Sequence, residues 1–184
     1  MFDSLPIIAG SLDMTNCQIT NVTGMQKNIT QTGKVLTRAT GTQRYEFEID
    51  MFAIGERNAK RLEAFLASHV GVPFYISPPQ LWSSSRNCTL GADLKVGANT
   101  MNVTGSILYG DYFTFMNSGK LYQATSSVLG SGNVDFTPKC RSTFKANEII
   151  SMKPLVLVTL LEGNTTYKSD VYWNVEYSFK VSEV

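Results

Sequence analysis

The sequence predicts a mainly β (α+β) protein, with a β-sandwich or barrel-like main domain, one amphipathic helix, and a small β-barrel inserted into the chain. Three observations predict this. Residues 43–51 alternate apolar and polar side chains at period two, residues 56–70 are the one segment of clear helical period, and residues 89–147 alternate short β segments with glycine-containing turns. The main domain is expected to be discontinuous, comprising 1–86 and 150–184 with the helix at 56–70. The inserted β domain is expected at 87–149. At 184 residues the chain can bury a core without disulfide staples.

Taken in order, the first forty residues are polar and β-branched with weak alternation at 18–22 and 34–38, and read as irregular strands or an extended arm. In 43–51, Tyr45, Phe47, Ile49 and Met51 share one face of a strand and Arg44, Glu46, Glu48 and Asp50 the other. Gly55 ends that pattern. In 56–70, Ala59, Leu62, Phe65, Leu66 and Val70 form one helical stripe, Glu56 suits the positive end of the helix dipole, Gly71 suits the C′ position, and Pro73 prevents continuation. Residues 72–77 read as a short strand ended by Pro78 and Pro79, and 82–87 as a Ser-rich connector. Within the inserted unit, strands are expected at 93–96, 100–103, 111–116, 120–124 and 134–136. The apolar run 155–161, the turn at Glu162, Gly163 and Asn164, and the alternation of Val171, Trp173, Val175, Tyr177, Phe179 and Val181 predict a long terminal hairpin.

Composition bounds the function. With 16 basic against 15 acidic residues there is no global field for nucleic acid or an anionic membrane, and no apolar run is long enough to span a bilayer. Only 17% of residues are charged, below the usual quarter, which suggests a surface partly covered by partners. Cys17, Cys88 and Cys140 are odd in number and far apart, so they read as three reduced thiols. The N-terminus lacks a basic signal-peptide region, which points to synthesis in a reducing cytoplasm. On that ground the Asn-x-Ser/Thr triplets at Asn21, Asn28, Asn87, Asn102 and Asn164 read as unmodified chance matches.

No reaction chemistry assembles from the sequence. Gly130, Ser131, Gly132 and Asn133 precede a strand-like segment and not a helix, so a hairpin turn explains them better than a phosphate loop. His69 is the sole histidine and lies in the helix's last turn, where a structural role fits better than catalysis. One imidazole without a cysteine cluster builds no ordinary zinc site. Glu46, Glu48 and Asp50 read as the wet face of a strand, and Ser83, Ser84 and Ser85 as loop. Tyr109, Tyr112, Phe113, Phe115 and Tyr122 near Lys120 offer a base-stacking platform, but Asp111 interrupts it and a packed hairpin is the better reading. No catalytic residue, cofactor or metal site is expected, and the protein is read as not an enzyme.

The order of motifs carries a resemblance. Gly41-Thr42-Gln43-Arg44-Tyr45-Glu46-Phe47-Glu48-Ile49, then Leu62-Glu63-Ala64-Phe65-Leu66, then Gly71 and Pro73-Phe74-Tyr75-Ile76, resembles tail-tip and baseplate proteins of tailed bacteriophages, a group similar to distal tail proteins. Tyr45 stands where that group more usually has Trp. Gly110-Asp111-Tyr112-Phe113-Thr114-Phe115 with Lys120-Leu121-Tyr122-Gln123-Ala124 looks like the same group's inserted barrel. The resemblance implies a structural virion protein, made in the bacterial host cytoplasm, that forms a ring of identical subunits, six-fold in symmetry, at the distal tail tube or baseplate. Its partners would be itself and neighbouring tail tube, hub or baseplate proteins, with viral DNA passing through the lumen unbound and no membrane involved. Residues 2–43 are then expected to reach an adjacent chain, and residues 1–20 to be dispensable for folding of the single subunit. A tail tube, tail completion or head–tail connector subunit shares the ring logic. A carbohydrate-binding module is a third reading, resting on Trp82, Tyr172 and Trp173 as stacking residues.

Overall fold

The structure is a computed structural model and describes residues 3–83, 87–116, 118–161, 166–169 and 174–184. It is mainly β, with one α-helix and a small closed barrel. The larger sheet is antiparallel and contains β1 (Leu12–Ile29), β2 (Val35–Ile54), β12 (Asn174–Glu183), β10 (Val156–Leu160) and β3 (Phe74–Ile76) in that spatial order, with β11 (Thr166–Ser169) also paired to β12. Period-two burial selects its faces. Tyr45, Phe47, Ile49, Met51 and Ala53 of β2 and Val175, Tyr177, Phe179 and Val181 of β12 point into one core, while the intervening positions stay wet or half-buried. The layer that a sandwich fills with strands is filled here by α1 (Glu56–Ser68), Leu5, Leu81 and Leu121. Tyr177 Oη donates to the Ala59 carbonyl at 3.1 Å and fixes the helix against the sheet.

The helix stripe needs one correction. Ala59, Leu62 and Leu66 are buried and Phe65 is half-buried, but Val70 is 58% exposed. The helix ends at Ser68 with His69 as C-cap, so Val70 has left the helical phase that placed it on the stripe, and Gly71 lies one residue beyond C′. His69 takes the core position. It is 6% exposed and stacks on Phe65 at 4.0 Å and edge-on to Phe74 at 5.4 Å.

The N-terminal segment also differs from its expectation as an arm. Leu5, Leu12 and Cys17 are core residues, and β1 pairs with β2 over almost its whole length, from Leu12 opposite Ala53 to Ile29 opposite Val35. Residues 3–5 run along the outer edge of β3, where Leu5 N donates to Tyr75 O at 2.9 Å and Tyr75 N to Asp3 O at 2.8 Å. Residues 1–20 therefore contain part of the fold. The weak periodicity that concealed β1 has a physical cause: at its distal end Lys27, Asn28 and Ile29 are exposed in succession, so no alternation is selected there.

The second unit is a closed barrel of β4 (Cys88–Leu90), β5 (Thr100–Thr104), β8 (Ser131–Thr137), β7 (Tyr122–Ala124), β6 (Tyr112–Phe115) and β9 (Ile149–Ser151). Its core is aromatic: Phe113, Tyr122 and Phe136 pack mutually, and Phe115 stacks on Phe144 at 4.1 Å. The packed reading of these aromatics agrees with the structure: Phe113, Phe115 and Tyr122 lie in the barrel core, Tyr112 packs edge-on to Tyr45 of the sheet, and Tyr109 is 75% exposed. Residues 93–96 make no strand, only a bridge between Leu94 and Phe144. The three-residue strands β4 and β9 are too short to show a period in sequence.

Candidate functional site

The residues singled out for chemistry are dispersed by the fold into structural roles. His69 Nδ1 lies 2.8 Å from the Phe65 carbonyl and 3.0 Å from Ser68 Oγ, contacts that end the helix. Its Nε2 faces Asp3 at 3.7 Å. Glu46 pairs with Arg44 at 2.9 Å, Glu48 faces Lys180 at 3.8 Å, and Asp50 accepts from Asn16 at 3.0 Å. Ser83 donates to Asp111 at 2.8 Å, while Ser84 and Ser85 lie outside the described residues. Ser131, Gly132 and Asn133 open β8. Trp82 is half in solvent, with its indole N–H on Ser77 Oγ at 3.0 Å and Lys153 over its ring at 5.1 Å; Tyr172 and Trp173 lie outside the described residues. Among the described residues no three His, Cys, Asp or Glu side chains gather to hold a metal, and no helix is long and apolar enough to cross a membrane. Cys17, Cys88 and Cys140 are buried cysteines, and burial, with Asp50 adding to it, pushes the Cys17 thiol up to about 11.

Two arrangements remain that local structure does not exhaust. The first is a ribbon. β12 accompanies β2 only as far as Ser182 opposite Glu46, so beyond that point β1 and β2 continue as a two-stranded hairpin. From residue 24 to the tip it runs about 25 Å at the usual strand rise. The tip closes between Thr30 and Lys34: Gly33 N donates to Thr30 O at 2.8 Å, Lys34 N to Thr30 Oγ1 at 3.0 Å, and Gly33 takes φ 78°, the left-handed position a three-residue hairpin loop requires. Ile29 and Val35 face each other across the strands and are 69% and 48% exposed, and Leu36 is 51% exposed. Residues 27–29 and 31–38 are exposed throughout. An apolar pair held in water at the end of an ordered ribbon lacks a partner within its own subunit.

The second arrangement is the seam between sheet and barrel. Lys120, just before β7, forms a buried ion pair with Glu183 at the end of β12, and both residues are 5% exposed. Glu183 also accepts from Leu121 N at 2.6 Å and Tyr45 N at 3.2 Å, and Lys120 Nζ donates to Gln43 O at 3.2 Å. Arg141 reaches the same Gln43 carbonyl at 2.9 Å, and Thr137 Oγ1 bonds the Gln43 side chain at 2.9 Å. Burial holds the Lys120 ammonium below the ordinary lysine value, against the opposing attraction of Glu183. Gly119 completes the closure, for a Cβ there would stand 2.7 Å from Leu157 Cβ and 3.2 Å from the Tyr75 ring. Gln43, Lys120 and Glu183 thus clamp the barrel to the root of the ribbon.

Sequence reasoning missed this clamp, although one signal was present. Glu183 falls on the same parity as Val175, Tyr177, Phe179 and Val181, so a regular strand carries its carboxylate into the core, where only a paired charge is tolerated. No protein-family model matches the chain, and no curated protein is significantly similar to it.

Proposed function

We propose that the chain is a non-enzymatic structural subunit of a bacteriophage tail tip or baseplate, closing with copies of itself into a ring of six-fold symmetry through which DNA passes at ejection. The observation that carries this reading is the ribbon, which places Ile29, Val35 and Leu36 in water on an ordered β scaffold beyond the subunit's own sheet. A projecting element that meets a different surface on the next subunit makes a head-to-tail contact, and such contacts close into a ring when the rotation per subunit divides a full turn. The sheet supports the same geometry. The β3 edge is covered by residues 3–5, whereas among the described residues the outer edge of β1 is met only at its start, where Leu12 bridges to Ile8, so the subunit is asymmetric from one edge to the other. The clamp at Gln43, Lys120 and Glu183 gives the ribbon a rigid root, which a load-transmitting ring requires. The resemblance of the 41–49, 62–66 and 73–76 segments to distal tail proteins supplies the place in the particle.

Negative-stain images of the purified full chain, alone and mixed with tail-tube protein, test the proposal. Annular particles with an open lumen that stack on tube ends are the expected result. Single small particles at high concentration under both conditions overturn it.

A further inference from the structure

The ribbon is basic as well as apolar. Lys27, Lys34, Arg38 and Arg44 are four of the sixteen basic residues, and none of the fifteen acidic residues falls between Asp13 and Glu46, so the rest of the chain holds twelve basic against fifteen acidic. The charges along β2 are ordered: Arg38 and Arg44 first, then Glu46, Glu48 and Asp50. The subunit is therefore near neutral overall and polarised along its longest strand.

The far end of that strand presents the complementary surface. On the face opposite the core, strand register sets Asp13, Phe52, Glu176 and Lys168 in one row and Asn16, Asp50 and Ser178 in the next. Phe52 is half-buried and its neighbour Ile54 is 46% exposed, so an apolar patch is flanked by Asp13, Asp50 and Glu176, with Lys168 as the one cation in those rows. A groove of about 360 Å³ crosses this face between Thr15 and Lys168, and includes Asp50 and Glu176. The ribbon tip has the inverse pattern, an apolar Ile29 and Val35 pair flanked by Lys27 and Lys34. The two surfaces cannot meet within one subunit, because β2 rises roughly 55 Å from Val35 to Phe52 at about 3.3 Å per residue.

We infer that the ribbon of one subunit docks on the Phe52 and Ile54 patch of a second copy, with Lys27 and Lys34 meeting Asp50 and Glu176. This inference rests on the ring reading and adds the pair of surfaces that forms its interface. Neutrality of the whole favours a second copy over nucleic acid as the occupant, since the carboxylates that repel DNA are the ones that receive the ribbon.

The test uses two charge reversals in the full chain, Lys27→Glu with Lys34→Glu, and Asp50→Lys with Glu176→Lys, followed by native mass spectrometry and circular dichroism. Each variant alone is expected to weaken self-association at least tenfold, and an equimolar mixture is expected to restore assemblies holding both in equal number, because each reversed ribbon then meets a reversed patch. If either double variant loses its β spectrum, Lys34→Gln and Glu176→Gln replace the pair with the same expectation in smaller degree. Wild-type rings that both reversals leave intact overturn the docking and leave the ring reading standing. A mixture that fails to reassemble overturns the pairing of the two surfaces. Ribbon reversal that abolishes retention of duplex DNA while assembly is unchanged makes the ribbon a nucleic-acid arm and overturns the inference. A wild-type chain that stays single at high concentration overturns both readings.

Discussion

Lys120 and Glu183 form an ion pair that is costly to break from one side, because both side chains are buried. Their charges are buried together, and each is also held by backbone groups from the other unit. Removing one partner leaves the other ionised and uncompensated, so Glu183→Gln is expected to cost about 3–5 kcal/mol in urea unfolding. The double variant Glu183→Gln with Lys120→Met is expected to cost less than that single change, because no charge is then left stranded; a double variant less stable than the single one contradicts the clamp. The cysteines make a second residue-level prediction. Iodoacetamide should label none of the three thiols in the folded protein and all three in urea, since every one is buried. Cys17 ionises at about 11 when folded and at 9.0 when free, so the unfolded chain loses this proton first. Its contribution to stability is complete below pH 9 and is lost as pH rises through about 11. A stability that rises across that interval contradicts the burial of the thiol.

At the scale of elements, the helix and the ribbon separate what holds the subunit from what extends beyond it. Leu62→Ala empties a fully buried site under the sheet and is expected to cost about 2–5 kcal/mol, whereas Val70→Ala, outside the helical phase, is expected to change stability by less than about 0.5 kcal/mol. Equal effects at the two positions contradict the helix packing described. Deleting residues 1–20 removes Leu5, Leu12 and half of β1 and is expected to abolish the β circular-dichroism signal. Replacing residues 27–37 by a two-residue Asn-Gly turn, which joins the facing pair Gln26 and Arg38, is expected to leave that signal intact and to lower the assembled mass, because every side chain in that stretch but Thr30 is exposed. What the sequence disclosed at this scale follows from one-sided burial. Residues 43–51, 56–68 and 174–183 each have one dry and one wet side, and their periods are readable. The ribbon tip, exposed at 27–29 and 31–38, and β4 and β9, three residues long, present no period to read. The Lys120 clamp was hidden for a different reason, since a charge in a core is defined by its partner 63 positions away and not by its neighbours.

For the whole molecule, the sheet, helix and barrel set the titratable candidates apart: His69 ends the helix, while Glu46, Glu48 and Asp50 pair with Arg44, Lys180 and Asn16 on the sheet. The surface features left over are extended and directional: a basic, apolar-tipped ribbon at one end of β2 and an acidic, apolar patch at the other. Sequence composition pointed to covered surfaces through its low charge, but the polarisation along β2 became visible only when register placed Asp13, Phe52 and Glu176 in one row. Sedimentation equilibrium of the full chain over a hundredfold range of concentration tests the ring most directly. The account predicts a single closed multiple of 20.3 kDa that stops growing as concentration rises. A mass of 20.3 kDa throughout, or one that climbs without limit, contradicts it.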